Sequence, residues 1–338
     1  MKIAILTPTF YQYSGIDRVV AKQAGDLKRA GHEVIVVTFR AETATRSMGI
    51  EVIEISMPKS SFWERVYRLL FFLDFWKISK TATRLKDSDQ MICHFYPMSV
   101  IACKAKKNNP QLEYIYYDHG VPPTEVFSST VEKVYIALFK KLSHHYLKSA
   151  DKIYSVSKYL SQVLKKETGL SSQVQHNVYV LPEETEEVVD VRQKFKLGDS
   201  PVILFVGRIS PHKAVHELIA SFNLLKKKLP SAKLVLVGKK TFDKYGEELS
   251  TLSGEGVIFT GKISDQELQS FYKACDVYAT ASHWEGFDLP IIEAQREDRP
   301  VVCYNIGPHL EVVINKELMV KKGDTKEFAQ KLRQALKR

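Results

Sequence analysis

The 338-residue chain has only four cysteines, Cys93, Cys103, Cys275 and Cys303, spread so far apart that no CxxC pair and no Cys/His cluster at zinc-ligand spacing occurs. Neither a disulfide framework nor a structural zinc site is indicated, and a reducing cytoplasm fits best. Long apolar runs are missing too. The most apolar stretch, Val66 to Trp76, is interrupted by Arg68 and Asp74, whereas a bilayer span needs about 20 nearly uncharged residues. The opening MKIAILTPTF enters a strand-like run with one lysine and no small-residue cleavage site, so no secretory signal is read. Disorder is excluded by a content of 44% hydrophobic and 11% aromatic residues, ordinary globular material whose length suggests two domains.

Charge is unevenly placed. The net formal charge is +10, and residues 1–180 hold 25 Lys and Arg against 16 Asp and Glu, while residues 181–338 hold 24 against 23. A basic first half suits an anionic partner, either a membrane surface, a phosphorylated acceptor or nucleic acid; a solvated basic surface without a partner would give the same asymmetry. No recognised nucleic-acid module accompanies it.

Along the chain, short apolar runs alternate with helical patterns. Lys2 to Leu6, His32 to Phe39, Val52 to Ile55, Met91 to Phe95, Tyr114 to Tyr117 and Ile153 to Val156 read as strands. Helices are expected from about Asp17 to Ala30 and from Lys158 to Thr168, the latter stopped by Gly169. After an acidic run from Glu183 to Asp190 the alternation restarts, with strands at Pro201 to Gly207, Lys233 to Gly238, Gly256 to Gly261, Val277 to Thr280 and Pro300 to Tyr304. Two doubly wound α/β domains follow, 1–180 and 181–338, with a ligand cleft expected between them.

Two segments carry chemistry. Val206-Gly-Arg-Ile-Ser-Pro-His-Lys213 follows a buried strand, so Gly207 can let the backbone approach a ligand while Arg208 and Lys213 stand at the carboxyl end of the sheet, where ligands of open α/β folds bind. A fork and a mobile point charge together suit a diphosphate, although a basic loop can also simply be solvated. In His283-Trp-Glu-Gly-Phe-Asp-Leu-Pro-Ile-Ile-Glu-Ala294, Pro290 fits a first helical turn, which would leave the amides of Gly286, Phe287, Asp288 and Leu289 facing an anion. Glu285 and Glu293 could flank one extended ligand and accept from its hydroxyls; taken singly, Glu293 could merely compensate a helix dipole and Glu285 sit in a plain turn.

These segments, with the strand order around them, resemble the retaining glycosyltransferases of family 4, which have the two-domain GT-B fold. Gly207-Arg208 with Lys213, the E-x7-E pair Glu285 and Glu293, the early Ser14-Gly15-Ile16-Asp17-Arg18 and Asp151-Lys-Ile-Tyr-Ser-Val-Ser157 carry the likeness, which extends over nearly the whole chain. The resemblance implies that Arg208 and Lys213 hold the pyrophosphate of a nucleotide-sugar donor and that Glu293 binds its ribose. Glu285 would hold the transferred sugar, the amides of Gly286 to Leu289 the distal phosphate, and Gly261, Lys262 and Ile263 the base. Gly15 would belong to the donor-facing loop of the first domain, and His119, in Tyr-Tyr-Asp-His-Gly, would face the sugar; a structural histidine at a strand end is the plainer alternative.

Three departures stand out. Asp288 occupies the position of a usual second glycine, where it either weakens donor binding or caps the helix and points away. His176-Asn-Val-Tyr replaces a linker turn that more often reads Asn-Gly, and the sequence stops at Arg338 after what looks like a penultimate helix.

The expected reaction is retaining transfer without a cofactor or metal, since fixed positive groups can stabilise the leaving diphosphate. Asp87-Ser-Asp89 precedes its strand and reads as a solvated turn, and no residue stands out as a covalent nucleophile. UDP-sugars are favoured over GDP-sugars. The stretch Ser61 to Lys80 mixes large aromatics with Arg65, Arg68, Lys77 and Lys80, a pattern suited to an anionic membrane interface or to core packing. A lipid-linked or membrane glycan acceptor at the inner face of the cell membrane is then expected, with a catalytically silent nucleotide-binding subunit or a nucleotide-sugar epimerase as the competing functions.

Overall fold

The computed structural model describes residues 1–11, 15–42, 49–127, 129–177, 189–240 and 243–337. The chain divides into two compact units, Met1–Val180 and Leu181–Arg338. Ser14, the acidic residues Glu183 to Glu187, and Val178 and Tyr179 of the altered linker turn lie outside the described residues.

The first unit is built on strands β1 (Lys2–Leu6), β2 (Thr9–Phe10), β3 (Glu33–Thr38), β4 (Arg40–Ala41), β5 (Glu51–Glu54), β6 (Gln90–His94), β7 (Glu113–Asp118), β8 (Lys152–Ser155) and β9 (Gln173–Val174). Seven of them form one sheet in the order β5-β3-β1-β6-β7-β8-β9, every pairing parallel. Successive side chains point to opposite faces. Ile3 and Ile5 of β1 therefore enter one core with Val34, Val36 and Ile92, while Ala4 and Leu6 enter the other with Ile35, Val37 and Met91. Burial on both faces is why these strands read as continuous apolar runs.

The crossovers are helices α1 (Gly15–Arg29), α2 (Ser61–Leu70), α3 (Phe75–Arg84), α4 (Ser99–Asn108), α5 (Thr130–Leu147) and α6 (Lys158–Thr168). Gly169 adopts the left-handed φ of 76° that ends α6. The stretch 61–80 holds two helices rather than one. Asp74 accepts from the Lys77 N–H at 3.2 Å and caps α3, because a carboxylate satisfies one of the orphan donors of a first turn. The break divides the aromatics: Phe71 is fully buried against Phe39, whereas Phe75 and Trp76 remain 70% and 72% exposed.

The second unit repeats the plan with β10 (Val202–Val206), β11 (Lys233–Val237), β12 (Val257–Gly261), β13 (Val277–Thr280), β14 (Val301–Tyr304) and β15 (Met319–Val320), parallel in the order β12-β11-β10-β13-β14-β15. Its helices are α7 (Val191–Lys194), α8 (Val215–Lys226), α9 (Asp243–Leu252), α10 (Asp265–Ala274), α11 (Leu289–Arg296), α12 (His309–Val312) and α13 (Thr325–Ala335). Ile203, Phe205, Leu234 and Leu236 meet Leu218 and Phe222 of α8 and Phe328 and Leu332 of α13 in one core. The four cysteines are buried and none is in a disulfide.

In each sheet the strand order reverses once, beside β1 and β6 in the first unit and beside β10 and β13 in the second. Loops leaving the two strands at such a point diverge to opposite faces and open a crevice at the carboxyl edge. In the second unit the backbone there is drawn tight by a glycine not singled out in the sequence. Gly238, at φ 140°, lies so close to Gly207 that a Cβ on it would stand 1.9 Å from the Gly207 carbonyl oxygen. Gly238→Ala is expected to lower stability by about 3 kcal/mol, the upper end for overpacking, measured as the denaturant midpoint of the purified chain; an unchanged midpoint would refute this account of the edge.

Candidate functional site

At the switch point of the second unit the sheet runs on past its strands. Gly207 N–H donates to Val237 O at 2.9 Å, Ile209 N–H to Lys239 O at 3.0 Å and Gly238 N–H to Gly261 O at 3.0 Å. Exposed Arg208 therefore shares one edge with Lys239, Lys240, Lys262 and half-buried Ile263. Gly261, at φ 69°, starts the turn carrying the last two. Lys239 and Lys240 escaped notice in the sequence; their signal was a basic pair directly after a strand-end glycine. Lys240 is turned aside, with its Nζ 4.2 Å from the Phe259 ring and 3.1 Å from Ser250 Oγ.

Lys213 ends a short 3-10 turn, Pro211–Lys213, just before α8. The loop after β13 is tied to this turn at several points. His283 N–H donates to His212 O at 2.8 Å, and Glu217 of α8 accepts from His283 Nε2 at 2.8 Å and from the Tyr304 hydroxyl at 2.5 Å. With the loops held, the half-buried Lys213 ammonium forms an ion pair with the buried Glu285 carboxylate. Burial and then the Asp288 charge push the Glu285 carboxyl upward, with Lys213 pulling the other way. A buried, lysine-paired glutamate is not the residue of a plain turn. Burial, helped by Lys213 and Arg208, brings His212 down to about 3, so the loop adds no third charge near neutral pH.

The start of α11 resolves the departure at Asp288. Asp288 is the N-cap residue, but its side chain makes no capping hydrogen bond. Its φ of 73° is left-handed, a conformation that suits glycine and strains most other residues. The carboxylate accepts from His309 Nε2 at 3.0 Å, while His309 Nδ1 lies 2.8 Å from the Tyr304 carbonyl. Two acceptors on one ring call for two N–H groups, hence an imidazolium. Burial opposes that charge most strongly, yet the bond to Asp288, with the neighbouring Cys303 and the Asp288 charge, holds His309 well above its usual value. Asp288 stays ionised despite burial because His309 and Lys213 draw its pKa down. The extra negative charge is thus neutralised within the fold.

Gly286 in this loop is half-buried, and Phe287 and Leu289 are buried. Glu293, expected in the first turn of its helix, falls one turn later because α11 begins at Leu289. Dipole compensation does not account for it there. It is buried and accepts from the Tyr272 hydroxyl at 2.6 Å.

In the first unit Gly15 is the first residue of α1 and is exposed. Asp17, two residues on, is buried and accepts from the Thr9 hydroxyl at 3.0 Å. His119 follows β7 and is buried, with Nε2 2.9 Å from His94 Nδ1; His94 Nε2 lies 2.9 Å from Gln23 Oε1. Burial lowers His119 to about 4, and burial with His119 nearby holds His94 well below the usual range, so both are neutral at pH 7. His119 Nδ1 is buried with no hydrogen-bond partner among the described residues, unlike a purely structural histidine, whose ring nitrogens are normally satisfied. Asp89, of the Asp87-Ser-Asp89 turn, accepts from the Lys2 N–H at 2.6 Å and joins β6 to β1.

Comparison with known proteins matches residues 13–182, half of the chain, to the family described as Glycosyltransferase Family 4, and residues 189–338 to Glycosyl transferases group 1. The chain belongs to glycosyltransferase family 4. Among relatives of this family-4 chain, the capsular polysaccharide biosynthesis glycosyltransferase CapM of Staphylococcus aureus is 35% identical over 40% of the chain and 37% of its own length. The putative teichuronic acid biosynthesis glycosyltransferase TuaC of Bacillus subtilis is 28% identical over 65% and 54%. The match thus spans between about a third and about half of these relatives. An Anabaena HepE structure in complex with UDP and glucose superposes with a TM-score of 0.78 at 21% identity, covering 99% of this chain and 90% of that one. At that identity the likeness shows the fold, which is GT-B.

His309→Gln is expected to cost about 3 kcal/mol by leaving a buried carboxylate unpaired, and adding Asp288→Gly should recover most of that loss. A double-mutant cycle of urea unfolding reads the coupling, and additive losses would show that the two side chains do not interact.

Proposed function

We propose that the chain is a retaining, metal-independent glycosyltransferase that moves a sugar from a nucleotide sugar, UDP-linked rather than GDP-linked, to a lipid-linked or membrane glycan acceptor in cell-surface polysaccharide or glycolipid synthesis. The observation that carries this reading is the pairing of Lys213 with buried Glu285, with Arg208 on the same loop, at the sheet's switch point. The names of CapM, TuaC and an O-antigen chain mannosyltransferase of Escherichia coli support the class of product. HepE, with UDP and glucose bound, supports the class of donor.

Breaking the sugar–phosphate bond places negative charge on the leaving diphosphate. Arg208, Lys213 and the first amides of α11, from Gly286 to Leu289, supply fixed positive groups for it. Glu285, anchored by Lys213, accepts from sugar hydroxyls. Glu293, oriented by Tyr272, takes the ribose, and Gly261, Lys262 and Ile263 border the base. His119 meets the transferred sugar, and Gly15 belongs to the loop that admits it. The acceptor hydroxyl attacks the face that the diphosphate leaves, so the anomeric configuration is kept. A silent nucleotide-binding subunit remains the competing reading; the Asp288 charge, one of the grounds for it, is paired with His309.

Nucleotide release from UDP-, GDP- and ADP-sugars in EDTA, with and without a membrane extract, tests the proposal. One UDP-sugar should turn over in EDTA, and Glu285→Ala and Arg208→Ala should each lower kcat/KM by about a hundredfold or more. Conversion of a donor with no acceptor would point to an epimerase, and a strict need for added divalent metal would overturn the mechanism.

We also propose that the enzyme works at the inner face of the cell membrane, in the cytoplasm. Among the described residues no helix is long and apolar enough to cross a membrane. Phe62, Trp63, Phe75 and Trp76 are instead largely exposed on α2 and α3, with exposed Arg65 and Lys80 on the same two helices. Aromatics that enter the headgroup boundary beside cations bind anionic bilayers. Sedimentation with phosphatidylglycerol vesicles should capture the wild type, more weakly in high salt. Trp63→Ala with Trp76→Ala should cut the partition coefficient at least tenfold; partitioning unchanged by the pair of substitutions would rule this surface out.

A further inference from the structure

A line of hydrogen bonds in the first unit runs from Gln23 through His94 to His119. Tyr117, whose hydroxyl donates to Gln175 Oε1 at 2.9 Å, stacks on the His94 ring beside it. The carbonyl oxygen of the Gln23 amide faces His94, 2.9 Å from Nε2. An amide oxygen only accepts, so His94 carries its hydrogen on Nε2. A neutral imidazole has one N–H, and His94 Nδ1 is left as an acceptor. His119 Nε2, 2.9 Å away, must then be the donor. What remains is the lone pair of His119 Nδ1, buried and without a partner among the described residues. The rings of Tyr117, His94, His119 and Phe95 stack in sequence at centroid distances of 4.9, 5.2 and 5.6 Å, which limits their rotation.

We propose that Gln23 and His94 are positioning residues that hold His119 in its Nε2–H tautomer, so that Nδ1 accepts a hydrogen bond from a hydroxyl of the transferred sugar. The sugar half of this statement rests on the donor reading above; the tautomer half does not. The polarity selects a ligand chemistry, because a bare acceptor repels carbonyl, carboxylate and phosphate oxygens and welcomes only a group that brings a hydrogen. Reversing the Gln23 amide would reverse every bond in the line and turn His119 Nδ1 into a donor suited to an anion.

Long-range proton–nitrogen NMR of the full chain with 15N-labelled imidazoles distinguishes the two directions. The chain has ten histidines, and His119→Gln and His94→Gln assign the two signals by deletion. At pH 7 both residues should show a protonated Nε2 and an unprotonated Nδ1. Gln23→Met removes the acceptor of the His94 Nε2 hydrogen and should move the His119 nitrogens toward tautomer-averaged shifts, whereas Gln23→Glu, which keeps an acceptor there, should preserve them. A proton on Nδ1 in the wild type overturns the proposal, as does a His119 signal indifferent to Gln23→Met.

UDP-glucose, but not UDP, should then shift His119 Nδ1 in the direction of hydrogen-bond acceptance. If UDP-glucose moves His212 of the second unit and leaves His119 unmoved, the proposal fails and the donor reading stands. If it moves neither, the donor reading fails and takes the sugar contact with it, while the tautomer has already been decided without ligand.

Discussion

Every pairing in the two large sheets is parallel, and that constraint governs where chemistry can occur. A parallel strand cannot turn back on itself, so each must be followed by a crossover, usually a helix, and every carboxyl end lies on one edge of its sheet. The order β12-β11-β10-β13-β14-β15 separates the loops after β10 and β13 at that edge. Lys213 and Glu285, 72 residues apart in sequence, meet because adjacent strands deliver them there.

Around that meeting point the fold keeps strict control of charge. Lys213 faces Glu285, His309 faces Asp288, and His212 is held neutral between two cations. A buried charge without a counterpart is expensive, so the Asp288 carboxylate at the start of α11 could not stand alone. The left-handed backbone at Asp288 keeps the geometry that glycine would adopt, and the histidine of α12 supplies the charge that the aspartate requires. The first unit handles its polar interior differently. His94 and His119 are neutral, and direction rather than charge is passed along their hydrogen bonds.

The surface of the first unit follows a third rule. Asp74 stops the helical stretch near its middle, and the two short helices turn different aromatics inward and outward. Phe71 and Tyr67 pack on Phe39, leaving Phe62, Trp63, Phe75 and Trp76 largely uncovered.

Much of this was legible in the chain because its signals are local. Runs such as Val202–Val206 and Val277–Thr280 announce buried parallel strands, Gly169 announces a helix end, and the residues after β10 and β13 stand out by spacing and type. The two-residue strands β9 and β15 carry no period to read, and the turn occupied by Glu293 depended on where α11 begins. The partners that complete the site left no trace at all. Gln23 lies 71 residues from His94, and His309 and Tyr272 each lie 21 residues from the carboxylates they serve. Sequence determined the elements, the family and the residues of the loops after β10 and β13, because periodicity, capping and spacing act within a few turns of chain. Tertiary structure alone decided the protonation of His309, the tautomer of His119 and the exposure of the aromatics, because each depends on neighbours that only the folded sheets and helices bring into hydrogen-bonding or packing distance.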